Sequence, residues 1–265
     1  NLRYYCLSED LNVPSVTSII KFTKAGYHRL MPNKITTPME IGDMMHKYLQ
    51  HYLTDTPNSI IRTSNSFLAE TLAQIVIDNL ISKLDEIWGS EVSVYFTNKY
   101  AGTIDLIGIY DGKICIIDYK SSYKTKTIDE LEDFFIQCAA YAIAHDWQYN
   151  TNIDSMMIFQ VTRDGNFEQN IMHSNQMEIY KRKWFNKLEL FYSARKKISE
   201  LYNSDKFRVE FKLIPGDLIM MDNHRLLHGR TRYDANEGNR FLQGCYIDYD
   251  STEGKLKHLK RELNI

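Results

Sequence analysis

From Glu40, the run EIGDMMHKYLQHYL sets Ile41, Met44, Met45, Tyr48, Leu49 and Tyr52 at three- and four-residue intervals, the stripe of an amphipathic helix. A second helical stripe runs from about Ser66 to Ile87 through Phe67, Leu68, Leu72, Ile75, Val76, Leu80, Ile81 and Leu84, and Pro57-Asn58 breaks the chain between the two. The period then changes. EVSVYFTN from Glu91, YAGTIDLIGIY from Tyr100 and KICIIDYKSS from Lys113 are β-rich runs, and Asp111-Gly112 between the last two predicts a tight hairpin. Helical spacing returns from Thr127 in TIDELEDFFIQCAAYAIAHDW, which opens on the capping-box pair Thr127 and Glu130. Strands around MMIFQVTR and FEQNIM flank a turn at Asp164-Gly165, and a long helix follows from about Gln176 to Tyr202.

The order α, α, β, β, β, α, β, β, α predicts an α/β sandwich, a mixed central sheet flanked by helices. Beyond Asn203 the pattern is strand and turn, in KFRVEFKLIPGDLIMMDNHRLLHGRTRYD and NRFLQGCYIDYD, so a boundary is placed between residues 1–204 and 205–265. No internal repeat or low-complexity tract is present.

At 265 residues, 43% hydrophobic and 25% charged, the chain has the composition of a folded protein. No run approaches the roughly 18 to 20 apolar residues that span a bilayer, and NLRYYCLSED has the features of no secretory signal, so an intracellular, soluble protein without a membrane partner is expected. The first residue is not Met, which leaves a processed terminus and a fragment both open. Cys6, Cys115, Cys138 and Cys245 are too scattered for a zinc or iron-sulfur site and read as buried thiols. Net charge is -2, so a polyanion would have to meet a locally basic surface.

The candidate chemistry lies on the hairpin. Closed at Asp111-Gly112, it sets Asp105 opposite Asp118, and the two-residue period puts Lys120 on the face of Asp118. Two carboxylates in segments as apolar as LIGIY and ICII repel each other and resist desolvation unless a cation neutralises them. A sparse carboxylate set suits Mg²⁺ or Mn²⁺ with water and phosphate oxygens, and Lys120 would orient or deprotonate the attacking water or stabilise the phosphorane. The bland alternative is that each Asp pairs with a lysine on a solvated face.

PSVTSII, GDMMH, AGTIDLIGIYDGKICIIDYKSS and QCAAY, in that order over residues 12 to 195, resemble the RecB-like branch of the PD-(D/E)xK nucleases, and within it the mitochondrial genome maintenance exonucleases. The resemblance implies a restriction-endonuclease-like fold and a metal-dependent DNA exonuclease, hydrolysing single-stranded ends in replication, repair or recombination. It implies Asp105 and Asp118 as principal metal ligands, the Tyr119 carbonyl completing the shell, and His46 as a ligand or phosphate contact. Lys120 would serve the water, with Gln137 and Tyr141 positioning Lys120 and the scissile strand. Glu91 is either a further acidic ligand or a solvent-exposed strand residue, and Ser121 and Ser122 either donate to phosphate or shape a turn. With no late cysteine triplet, no iron-sulfur cluster is expected. By resemblance alone the compartment would be a mitochondrion or a virus-infected cell.

Lys124 and Lys126 follow the catalytic strand, and Lys183 and Lys187 lie on the closing helix with further basic residues. They are either a solvated face or a phosphate track.

The tail LIPGDLIMMDNHRLLHGRTRYD…NRFLQGCYIDYD, from about 211 to 265, resembles the C-terminal end of γ-butyrobetaine dioxygenases and TauD-like 2-oxoglutarate oxygenases. That resemblance implies an incomplete double-stranded β-helix, with His228 a vestigial iron ligand and Arg240 a vestigial 2-oxoglutarate contact. An Fe(II) site needs His-x-Asp or His-x-Glu on an earlier strand, and none of the eight histidines has Asp or Glu two positions on. A nuclease is therefore the leading reading, an Fe(II)/2-oxoglutarate oxygenase the runner-up and a silent nucleic-acid-binding module the third; oligomeric state and cleavage polarity are not written in these patterns.

Overall fold

A computed structural model describes residues 2–24, 37–57, 60–221, 226, 228–229, 243–244 and 249–263. The chain divides into two compact units, Asn1–Val209 and Glu210–Ile265.

The first unit opens with a two-stranded antiparallel ribbon, β1 (Tyr4–Ser8) and β2 (Leu11–Pro14), which runs into the short helix α1 (Val16–Phe22) capped by the Ser15 side chain. None of these three elements is marked by strong periodicity. Then follow α2 (Thr37–Thr54), α3 (Ser64–Asn79), β3 (Glu86–Phe96), β4 (Tyr100–Tyr110), β5 (Lys113–Ser122), α4 (Glu132–Tyr149), β6 (Ser155–Thr162), β7 (Phe167–His173) and α5 (Ser174–Tyr202). The five long strands form one sheet in chain order, antiparallel except for β5 and β6, which α4 joins in parallel. Ile107, Ile116, Ile158 and Met172 pack one face against α1, α4 and α5. Leu106, Cys115, Ile117, Met157 and Phe159 pack the other against α2 and α3. The result is an α/β sandwich with a mixed sheet flanked by helices.

Three boundaries differ from the sequence-based expectation. The second helix stops at Asn79, where the Asn79 side chain donates to the Ile75 carbonyl, and Leu80 leaves helical geometry for a single 3-10 turn, Ile81–Lys83. Glu86 onward instead pairs with β4, because a ladder starting at Glu86↔Ile109 gives those residues interstrand hydrogen bonds that a continuing helix would forfeit. Helix α4 starts at Glu132, five residues after Thr127. The Thr127–Glu130 reciprocal hydrogen bonds do form, but they close a turn ahead of the helix.

The β4–β5 hairpin closes as its turn residues dictate. Asp111 and Gly112 both have positive φ, 51° and 68°, as a two-residue turn of type I′ requires.

Among the described residues of the second unit there is no strand, and much of the expected β-helix fragment, including residues 222–225, 230–242 and 245–248, lies outside the described residues. Residues 210–221 are irregular around a Pro215-Gly216 turn, closed by Asp217 N–H to the Ile214 carbonyl, and α6 (Tyr249–Leu263) is a basic helix. His228 is exposed, and Arg240 lies outside the described residues.

Candidate functional site

The register Leu106↔Ile117 is the last step of the β4–β5 ladder before Asp105 and Asp118. There the strands part. Ile104 and Ile107 lie in the same apolar cluster although they are three positions apart, so β4 breaks its two-residue alternation between them. In place of a backbone carbonyl, the Asp105 carboxylate accepts the Tyr119 N–H at 3.1 Å. On its other side Asp105 faces Glu91, since Ser90↔Leu106 and Val92↔Ile104 bracket the pair, and Glu91 adopts a positive φ of 52°. The irregularity thus points side chains into the opening that a regular sheet would send elsewhere.

Helix α2 brings His46 to this opening. Its Nδ1 lies 3.6 Å from Asp105 Oδ2 and 3.8 Å from Glu91 Oε1, and its Nε2 lies 3.2 Å from the Tyr119 carbonyl. His46, Glu91 and Asp105 offer ligand atoms all within 4.8 Å of one another. Burial pulls the imidazole pKa down, but Asp105, Glu91 and Asp118 outweigh it and the net shift is upward. A ring whose two nitrogens both face oxygen acceptors is in the setting of a proton or of a cation, and one imidazole with two carboxylates is a donor set that could hold a divalent metal.

Asp118 stands outside that three-residue cluster. Its Oδ1 accepts from Gln137 Nε2 at 3.1 Å and its Oδ2 lies 2.5 Å from Lys120 Nζ. Lys120 Nζ and Asp118 Oδ2 form an ion pair. Burial pushes the Asp118 carboxyl up to about 6 against the pull of Lys120, and Asp105 adds to the rise. Burial works against the Lys120 ammonium, but Asp118 and Asp105 raise its pKa overall. At neutral pH the two are an ion pair.

The structure therefore brings His46, Glu91, Asp105, Asp118, Tyr119, Lys120 and Gln137 to one opening in the sheet, and it redistributes their contacts. Gln137 holds Asp118, not Lys120, because its position on α4 faces the end of β5. What flanks the Lys120 ammonium is the Phe134 ring, 4.8 Å from its centroid, and Lys126 Nζ lies 4.8 Å from the same centroid. Tyr141 is buried against Gly102, where a Cβ would stand 2.3 Å from its Cε1; burial, then Asp105 and Asp118, raise its phenol well above the ordinary range. Ser122 Oγ donates to the Lys124 carbonyl, a turn role, while Ser121 Oγ lies beside Gly42 of α2. The α5 lysines are drawn to acids on α4: Lys183 pairs with Glu132, and Lys187 Nζ lies 3.9 Å from Asp133. In this arrangement Lys183 and Lys187 face acids on α4. Phe134 and Gln160 escaped the sequence reading, although a lone Gln in the apolar run MMIFQVT was a visible anomaly.

Comparison with known proteins divides the chain. Human mitochondrial genome maintenance exonuclease 1 is 27% identical over 160 residues, covering 58% of this chain and 46% of that protein, and the mouse protein is 29% identical over 128 residues. The chain resembles these exonucleases. Its C-terminal part resembles a dioxygenase: human γ-butyrobetaine dioxygenase is 41% identical over 78 residues, 29% of this chain and 20% of that protein. The model of the taurine catabolism dioxygenase TauD, TfdA family matches residues 157–246. That match starts inside β6 and crosses β7 and α5, whose Ile158, Met172, Trp184 and Leu188 pack in the same core as β4 and α4. The chain spans about one fifth of the dioxygenase and under half of the exonuclease. Among solved structures, a candidate exonuclease from Eubacterium rectale superposes with a TM-score of 0.46 at 15% identity over 69% of this chain and 79% of that one.

Proposed function

We propose that the first unit is a divalent-metal-dependent DNA nuclease of the PD-(D/E)xK kind, hydrolysing phosphodiester bonds at single-stranded ends. The observation that carries this reading is the opening between β4 and β5, where His46, Glu91 and Asp105 converge beside the buried Asp118–Lys120 pair. The resemblance to exonucleases over 58% of the chain supports it.

In this reading His46, Glu91, Asp105 and the Tyr119 carbonyl would hold the ion, with Asp118 at its edge. A bound Mg²⁺ or Mn²⁺ supplies Lewis-acid charge to a phosphoryl oxygen and acidifies its water. Gln137 fixes Asp118 through Oδ1, and Asp118 with Phe134 fixes the Lys120 ammonium. Two carboxylates beside it keep Lys120 protonated, which suits stabilisation of the developing phosphorane charge over proton abstraction. Biologically, the same reading places the protein in DNA replication, repair or recombination.

The dioxygenase reading draws on the 157–246 match, and the described residues do not fit it. A facial triad needs two histidines and a carboxylate, whereas the one three-residue cluster of metal-ligating type among the described residues is His46, Glu91 and Asp105, on the nuclease hairpin and α2.

The deciding experiment is degradation of end-labelled single-stranded DNA with Mg²⁺ or Mn²⁺ by wild type, Asp105→Asn and Asp118→Asn. Loss of cleavage on the order of a hundred-fold or more is expected for both variants. Equal cleavage by all three proteins would overturn the assignment.

A further inference from the structure

We propose that Tyr123 is a stacking platform for an unpaired nucleobase beside the cleavage site, braced from behind by Arg163. Tyr123 is the first residue after β5, just past Lys120, and it is 67% exposed although it is a large aromatic. The Arg163 guanidinium, at the end of the neighbouring strand β6, lies 4.2 Å from the Tyr123 ring centroid. With one face taken by Arg163, that degree of exposure leaves the other face to solvent.

The loop that carries the ring is fastened along its length. Arg163 N–H donates to the Ser122 carbonyl at 3.2 Å, and Ser122 Oγ donates to the Lys124 carbonyl at 2.7 Å. Gln160, buried in β6, clamps the backbone of Lys126 at both ends: its Oε1 accepts the Lys126 N–H at 2.7 Å and its Nε2 donates to the Lys126 carbonyl at 3.0 Å. Thr127 then closes the turn with Glu130. An exposed ring on a loop so fixed loses little conformational freedom on binding, which is the arrangement of a preorganised contact.

The chemistry of the loop selects the occupant. A flat π face on a loop that also carries Lys124 and Lys126 suits a base with its phosphates, and every base has a face to stack. A paired base in a duplex is stacked on both sides, so the platform by itself favours single strands. Its placement beside the scissile bond rests on the nuclease reading; the stacking can be measured without cleavage.

The test uses the full chain with Ca²⁺ in place of a catalytic metal, and fluorescence anisotropy of a labelled single-stranded oligonucleotide. Tyr123→Ala should weaken binding about ten-fold while Tyr123→Phe stays near wild type. In an abasic scan, removing one particular base should cost the wild type a similar factor and cost Tyr123→Ala nothing further. Binding of a blunt duplex should be indifferent to Tyr123→Ala. Wild-type affinity in Tyr123→Ala, equal penalties for both proteins at every abasic position, or an equal loss on duplex would each overturn the proposal. Failure of the nuclease reading shows up separately, as absent cleavage with Mg²⁺ and Mn²⁺ while base-dependent binding persists.

Discussion

Lys120 is what makes a buried, ionised Asp118 tolerable. Their side chains are 22% and 3% exposed, and a buried charge stripped of its partner costs more than the pair itself contributes. Lys120→Met should therefore destabilise the protein by about 3 kcal/mol, and Asp118→Asn/Lys120→Met should recover most of that loss. Urea unfolding in EDTA separates the two; a double variant no more stable than Lys120→Met would contradict the account. His145 offers a pH test away from the site. Its Nδ1 sits 2.8 Å from Thr151 Oγ1, and burial lowers its pKa against the opposing effect of Asp146. The folded protein then binds fewer protons than the unfolded chain, so this stabilisation is full above about pH 6.5 and declines as pH falls through the lowered folded value. The urea midpoint of wild type should drop across that window relative to His145→Gln. At this scale the sequence pointed to Asp105, Asp118 and Lys120, because acids in apolar strands stand out. It did not show which partner each would take, since Gln137 reaches Asp118 only through the docking of α4.

Two glycines show how elements are held at the site. A Cβ on Gly102 would meet Tyr141 Cε1 at 2.3 Å, and one on Gly108 would meet the Glu86 carbonyl oxygen at 2.2 Å. A side chain can turn aside, whereas a paired backbone cannot. Gly102→Ala should cost about 1–3 kcal/mol and be relieved by Tyr141→Leu, and Gly108→Ala should cost more and gain nothing from that second change. Thermal melts of wild type, the two glycine variants and each combined with Tyr141→Leu check both statements. The hairpin itself was readable, since Asp-Gly between two β-rich runs calls for a two-residue turn and so fixes the register. Its parting at Asp105 was not, because a break in alternation between Ile104 and Ile107 looks in one dimension like a continuous apolar run. The first ribbon and α1 were missed for a related reason: short elements held by contacts such as Arg3 N–H to Ser18 Oγ carry little periodic signal of their own.

On the scale of the whole chain, both apolar clusters and every residue of the candidate site belong to the first unit. A protein ending at Val209 should keep the full chain's main thermal transition and its cleavage of single-stranded DNA, as calorimetry and a gel assay would show; loss of either would mean that the second unit contributes to the site or the core. Helix α2 must dock before His46 can reach the opening, and α4 before Gln137 can reach Asp118, but Asp105 and Asp118 belong to a single hairpin closed by one tight turn. During refolding that hairpin can close early, since local pairings form fastest. Mutual repulsion of its two acids would then slow the first step of assembly, and a trace of calcium in the refolding buffer should quicken it more than sodium at equal ionic strength.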